Sequence, residues 1–184
     1  MNSKKRRCND CKKHECSCKV VCKVPSVSIG PIKASAPDES SVLCGLCEYA
    51  YVYNLTPQTV AIGADVIFDS NGIMTPGITH IPGTSQITVL ISGDYEVTFS
   101  VSGTEPNQFT LFKNGLPVAG TTYGSGAGTQ QNNGQAIISV IANDILTLRN
   151  YSSAAAVGLA SVIGGTQANV NASILIKMLS TNTI

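Results

Sequence analysis

The side chains here with the most distinctive chemistry are thiols, and all seven sit near one end: Cys8, Cys11, Cys16, Cys18, Cys22, Cys44 and Cys47. Thiolates ligate soft metals or exchange disulfides. Cys8-x-x-Cys11 and Cys44-x-x-Cys47 have the pair spacing of zinc knuckles, and His14 adds an imidazole to the first. The 32 residues between the pairs exceed a zinc-ribbon separation, however, and Cys8, Cys11, His14, Cys16 and Cys18 follow no standard finger spacing. Metal and disulfide both stay open by ligand type, and the spacing favours cross-linking, so no metal is expected. An odd count leaves at least one thiol free or paired between chains, which suits an insoluble assembly.

Catalytic constellations are not apparent. There are two histidines: His14 among the cysteines and His80 in PGITHIPG, which reads as a surface loop residue. No G-x-S-x-G elbow occurs. Gly124 to Gly128 (GSGAG) has a phosphate loop's composition without its lysine or helix. Asp65 and Asp69 could lie near one turn, as in a calcium site, but nothing else gathers with them. The expectation is no enzyme and no cofactor. Lys4-Lys5-Arg6-Arg7 could attract nucleic acid by charge alone; no aromatic is interleaved and no base-reading fold follows, so nucleic acid is not expected as a partner. The glycosylation-type triplets at Asn54, Asn150 and Asn171 read as chance in a Ser/Thr-rich chain.

The elements around these residues fall into three parts. Residues 1–23 are a Cys/Lys-rich head with too little apolar content to fold without cross-links or metal. Residues 24–43 are a linker in which Pro25, Pro31 and Pro37 favour extended chain. Val27 and Ile29 alternate there with serines. That is either a plain spacer or a short strand that docks on another subunit. Residues 44–184 form the body. Up to Cys47 there are nine basic and four acidic residues; beyond it, three basic and seven acidic. The basic tail is either simply solvated or attracted to a neighbour's acidic body, more weakly in salt. Lys4–Arg7 is not followed by an apolar stretch, and every long charge-free run is broken by Gly, Asn, Gln or Thr. The sequence therefore predicts cytosolic synthesis without a signal peptide, and no membrane partner.

The body reads as all-β. Tyr95, Val97, Phe99 and Val101 alternate with Glu96, Thr98, Ser100 and Ser102, the cleanest period of two in the chain. Tyr49, Tyr51 and Tyr53 share one face of a strand over 48–54, and Ile87, Val89 and Ile91 share one over 85–91. QFTLFK (108–113) meets Asn114-Gly115, the strongest short hairpin signal, and Pro117 marks the returning strand as an edge or bulge. Residues 120–134 read as a Gly/Gln/Asn-rich loop. Strands follow over 135–141 and 145–151 around an Asn143-Asp144 turn. Residues 154–165 are ambiguous, and a last strand over 170–178 turns Val170, Ala172, Ile174, Ile176 and Met178 to one face, with Leu175 the apolar exception on the other. About ten short strands fit a jelly-roll sandwich.

Four of these segments carry a resemblance. Gly93-Asp-Tyr-Glu-Val97 with Phe99 resembles a strand of the complement/tumour-necrosis-factor jelly-roll superfamily. Phe112 to Gly120 (FKNGLPVAG), Asn143 to Leu148 (NDILTL) and Asn171 to Ile174 (NASI) resemble the hairpin and strands of the C-terminal domains of bacillus exosporium collagen-like glycoproteins, the BclA type. The resemblance spans roughly residues 48–180. It implies a jelly roll that trimerises, a structural place on the endospore surface, and synthesis in the mother-cell cytosol with oxygen met only after lysis, when thiols can become cross-links. No Gly-X-Y repeat precedes the domain, which points away from a stalk toward a basal exosporium layer or an appendage fibre. Its partners would be copies of itself and other spore-surface proteins. Tyr49, Tyr51 and Tyr53 would then be either core or trimer interface. The alternative is a glycan- or receptor-binding module that uses the 120–134 loop.

Overall fold

The computed structural model describes residues 48–128 and 130–181. All seven cysteines, Val27 and Ile29 lie outside them, as do the head and linker.

Twelve strands make up the described body: β1 (Tyr49–Asn54), β2 (Gln58–Val60), β3 (Ser70–Met74), β4 (Ile78–His80), β5 (Ile87–Val89), β6 (Gly93–Val101), β7 (Asn107–Lys113), β8 (Leu116–Ser125), β9 (Asn132–Val140), β10 (Asp144–Asn150), β11 (Val157–Leu159) and β12 (Ala172–Ser180). Ten of them form two five-stranded antiparallel sheets, ordered β3-β1-β12-β6-β9 and β4-β5-β10-β7-β8, with β2 and β11 as a separate pair. The chain crosses between the two sheets repeatedly, at β3 to β4, β5 to β6, β6 to β7, β8 to β9 and β9 to β10, while β4–β5 and β7–β8 are hairpins within one sheet, which fits a jelly roll.

Inward alternation builds a single core from both sheets. Tyr95, Val97, Phe99 and Val101 of β6 meet Phe109 and Leu111 of β7, Leu146 and Leu148 of β10, and Ala172, Ile174, Ile176 and Met178 of β12. Tyr95 is buried to the ring, and its hydroxyl donates to the Ile91 carbonyl at 2.8 Å. Burial, and then the Glu48 carboxylate, push the phenol up to about 12, so it remains a neutral donor. Gly134 of β9 makes room for this core. A Cβ there would lie 2.2 Å from Phe99 Cζ and 2.6 Å from the Tyr123 ring, and those two rings meet edge-to-face at 5.8 Å.

The turns follow the residue types. Asn114 and Gly115 take φ of 52° and 79°, both left-handed, in the two-residue β7–β8 loop. Asn143 is left-handed as well, at 73°. The two turns are tied together: Asn114 Nδ2 donates to Asp144 Oδ1 at 2.6 Å, and the Ile145 amide donates to Asn114 Oδ1 at 2.8 Å. β8, which holds Pro117, is a sheet edge.

Several expectations are corrected. Most of 120–134 is strand: β8 runs to Ser125 and β9 starts at Asn132, with Thr121, Ser125 and Asn132 buried. Polar strands of this kind give no apolar period to read. Ile91 lies past the end of β5 and is exposed, and Val170 precedes β12 and is exposed. His80 is not a surface loop residue. It lies on β4 at 8% exposure, with Nδ1 2.6 Å from Asn71 Oδ1, Nε2 3.1 Å from the Thr84 carbonyl, and its ring edge-to-face with Phe68. The flanking glycines and prolines hid a three-residue strand. Asp65 and Asp69 do not share a site. Asp65 pairs with Arg149 at 2.6 Å. Asp69 accepts from the Leu55 and Thr56 amides and the Thr56 hydroxyl.

The three glycosylation-type asparagines are buried structural residues. Asn54 Nδ2 donates to Asn171 Oδ1 at 2.8 Å and to the Thr56 carbonyl at 2.6 Å, and Asn150 Nδ2 donates to the Val60 carbonyl at 2.9 Å. They satisfy backbone groups that the loops leave without sheet partners.

Candidate self-association face

One side of the β3-β1-β12-β6-β9 sheet faces the core. The other faces outward, and the ladder register arranges it in rows. Tyr49, Lys177, Glu96 and Ile137 lie abreast, then Tyr51, Leu175, Thr98 and Gln135, then Tyr53, Ser173, Ser100 and Asn133. The tyrosines are therefore on the outward face, and their reading as core is overturned: Ala50, Val52 and Asn54 point inward instead. Tyr51 and Tyr53 stack with centroids 5.2 Å apart. Gly72 on β3 leaves room for this stack, since a Cβ there would lie 2.8 Å from Tyr51 Cδ1.

The face is apolar at both margins. Ile73, at the bulge where β3 shifts register against β1, is 76% exposed, and Ile137 on the opposite edge strand is 70% exposed. Tyr49 and Leu179 are exposed as well. Between the margins, Lys177 Nζ and Glu96 Oε2 pair at 2.9 Å. Both are about a third exposed, so the pair contributes little to folding and mostly neutralises the middle of the face. Isoleucine on a sheet edge invites pairing with another chain unless something covers it.

Of the residues the sequence singled out, Tyr49, Tyr51 and Tyr53 are brought together here. The seven cysteines, Val27 and Ile29 lie outside the described residues. Sequence reading missed Ile73, Ile137 and Leu179. A signal existed for two residues of this face. Leu175 interrupts the polar Ser173 and Lys177 on the outward side of β12, and Ile137 falls out of phase with the buried Ile138 and Val140. Ile73 had no such signal, because the bulge breaks the alternation that would have placed it.

Other polar clusters of the body are structural. Burial alone would raise the Asp144 carboxyl, but the Ile141 amide, Asn114 and the Lys113 cation outweigh it and hold the group below its usual range. Bonding to Asp65 holds the Arg149 guanidinium above its usual value, and the cation lies 4.1 Å from the Phe112 ring centroid. Among the described residues no group of His, Cys, Asp or Glu could hold a metal ion, and no helix is long and apolar enough to cross a membrane.

Comparison with known proteins agrees with this fold. A family model described as the BclA C-terminal domain matches residues 50–179. Three solved structures share the fold. The globular domain of zebrafish complement 1qA protein is 14% identical, with a TM-score of 0.57 over 73% of this chain and 98% of that one. Eiger TNF from S. frugiperda is 13% identical, with a TM-score of 0.53 over 74% of this chain and 94% of that one. Murine APRIL is 8% identical, with a TM-score of 0.51 over 72% and 98%. At such identities the likeness is one of fold. No curated protein matches the chain.

Proposed function

The chain belongs to the BclA C-terminal domain family, and from that premise we propose that it is a structural, self-assembling protein of the endospore surface, in an exosporium layer or an appendage fibre. The body associates as a homotrimer through the outward face that holds Tyr49, Tyr51, Tyr53, Leu175 and Ile137. The N-terminal segment then joins trimers to one another or to other spore-surface proteins. Val27 and Ile29 dock as a strand, and Cys8, Cys11, Cys16, Cys18, Cys22, Cys44 and Cys47 cross-link. Synthesis in the mother-cell cytosol would keep these thiols reduced until lysis.

The observation that carries the reading is the outward face itself. It sets exposed isoleucines on both margins of a sheet whose other side is a complete core. Burying each of these side chains against another copy would contribute about 2 kcal/mol, and the stacked tyrosines provide the rigid aromatic area that interfaces concentrate. The body is read as non-catalytic. Its described histidine, His80, has both ring nitrogens turned to partners inside the fold, and its charged side chains pair for structural ends.

Electron microscopy of the full-length protein, with and without reductant, tests this. Fibres or sheets that loosen on reduction are expected, and a chain lacking residues 1–43 should give discrete trimers. Polymers that persist without residues 1–43 would show that the tail is not the connector. A monomeric body would remove the trimer.

A further inference from the structure

β6 is nine residues long, so the two ends of the sandwich are about 30 Å apart. Glu48, whose carbonyl accepts from the Met178 amide at 2.8 Å, lies at one end. At the other end three connections converge: 102–106 after β6, 126–128 with 130–131 before β9, and the long segment 151–171 that contains β11. Loops held on a rigid sandwich are where binding residues concentrate.

A groove of about 470 Å³ opens between these connections, a volume within the range of small-molecule sites. Its lining is of two chemical kinds. Gln130 offers a free carboxamide and Ser102 a hydroxyl, Gln131 keeps its oxygen while its Nε2 donates to Ser100 Oγ at 2.6 Å, and Asn169 Nδ2 donates to the Ala160 and Val170 carbonyls; Ile163 and Val170 offer aliphatic surface. No Asp, Glu, Lys, Arg, His or aromatic residue lines it. An anionic ligand would find no counter-charge there, and a flat aromatic one no ring to stack on. A carboxamide presents a donor and an acceptor side by side, which matches a pair of neighbouring hydroxyls, while Ile163 and Val170 suit a ring's C–H face. A second uncharged groove of about 350 Å³, with Gln58, Thr59 and Leu159, shares Thr104 with the first, so the two can serve consecutive units of one ligand.

The groove is pre-formed. The Ile163 amide donates to Asn169 Oδ1 at 2.9 Å, and the Asn169 amide donates to the Ser161 carbonyl at 2.8 Å. The Thr104 amide donates to the Gly158 carbonyl at 2.9 Å. Gly128 presses so closely on the 102–106 connection that a Cβ would lie 2.1 Å from the Thr104 carbonyl oxygen, so a larger residue there would push two of the three connections apart. The Gln130 side-chain amide, in contrast, has no partner among the described residues and is exposed. Rigid walls with a free amide cost little ordering on binding.

We propose that this groove binds a neutral saccharide, with the Gln130 carboxamide and the Gln131 side-chain oxygen reading hydroxyls and Ile163 and Val170 packing on the ring. This site does not rest on the assembly reading, whose exposed isoleucines, Ile73 and Ile137, are not in the lining, although Gln131 bonds to Ser100 at the end of that face.

The test is an array of immobilised neutral glycans built from glucose, galactose, mannose and N-acetylglucosamine, with sialylated and sulfated counterparts, probed with the full-length chain in reductant. Retention of at least one neutral glycan is expected. Affinity for it should fall at least tenfold in Gln130→Ala and be lost in Val170→Trp, which fills the groove, with oligomer size by light scattering unchanged. Thr122→Ala on the other sheet should bind as the native chain does. If Val170→Trp disturbs the loops, Gln130→Ala decides, since it removes an exposed amide that supports nothing. No neutral glycan retained, retention only of charged glycans, or affinity unaltered by Gln130→Ala would each overturn the proposal.

Discussion

The two sheets treat their outward faces differently. On the β4-β5-β10-β7-β8 sheet the large apolar residue that points outward, Phe112, is sealed by its own chain. Tyr151 meets it edge-to-face at 5.2 Å, and Arg149 caps the ring while paired to Asp65. Phe112 is left 2% exposed. On the β3-β1-β12-β6-β9 sheet no such lid covers Ile137 or Ile73, and the tyrosines lie half-open beside them. The chain covers one apolar patch with a cation and an aromatic and leaves another bare, and that contrast is what the proposed trimer rests on.

The largest effect should come from breaking what both faces share. Phe99→Ala removes the ring packed against Tyr123 and Gly134 and should lower stability by about 3–5 kcal/mol in urea unfolding. Gly134→Ala, which drives a methyl into the same ring, should cost about 1–3 kcal/mol by overpacking. The contrast between the faces is then tested directly. Ile137→Asp with Leu175→Asp should abolish self-association in sedimentation velocity and leave the body's unfolding midpoint nearly in place. Arg149→Ala should do the reverse, lowering stability by about 1–2 kcal/mol through the uncapped ring and the stranded Asp65, with assembly unchanged. An Arg149→Ala chain that fails to assemble would erase the distinction.

Acid gives a smaller and graded effect. Asp144 titrates below its unfolded value of 3.8. Its contribution is therefore complete above that value and is lost as pH falls through the lower folded value. Asp144→Asn should flatten this part of the acid-unfolding curve and leave neutral pH behaviour to the altered turn alone. Lys177→Met should shift the midpoint by less than about 1 kcal/mol, as exposed pairs do.

The sequence made the core legible wherever a strand alternates cleanly, as β6 and β12 do, and wherever a turn needs left-handed residues, as Asn114-Gly115 does. It was silent where strands are short or polar. β2, β3 and β4 lie in a stretch where Gly, Pro and Asp mask three- to five-residue elements, and β8 buries threonine and serine in place of aliphatics. The candidate self-association face was half legible. The tyrosine row was visible as a period of two, but which side of β1 it occupies depends on β12 and β3, partners distant in sequence that the local pattern does not name.

The three buried asparagines have a practical consequence for making this protein. In a host that routes chains through a glycosylating secretory compartment, Asn54, Asn150 and Asn171 each open the triplet that sugar transfer reads. Each side chain ends up inside the fold and bonded there. A sugar attached before the sandwich closes would occupy the space of those bonds. Secreted material should accordingly separate into an unmodified folded fraction and a glycosylated fraction that cannot close, and the ratio of the two would record how quickly β1, β10 and β12 find one another.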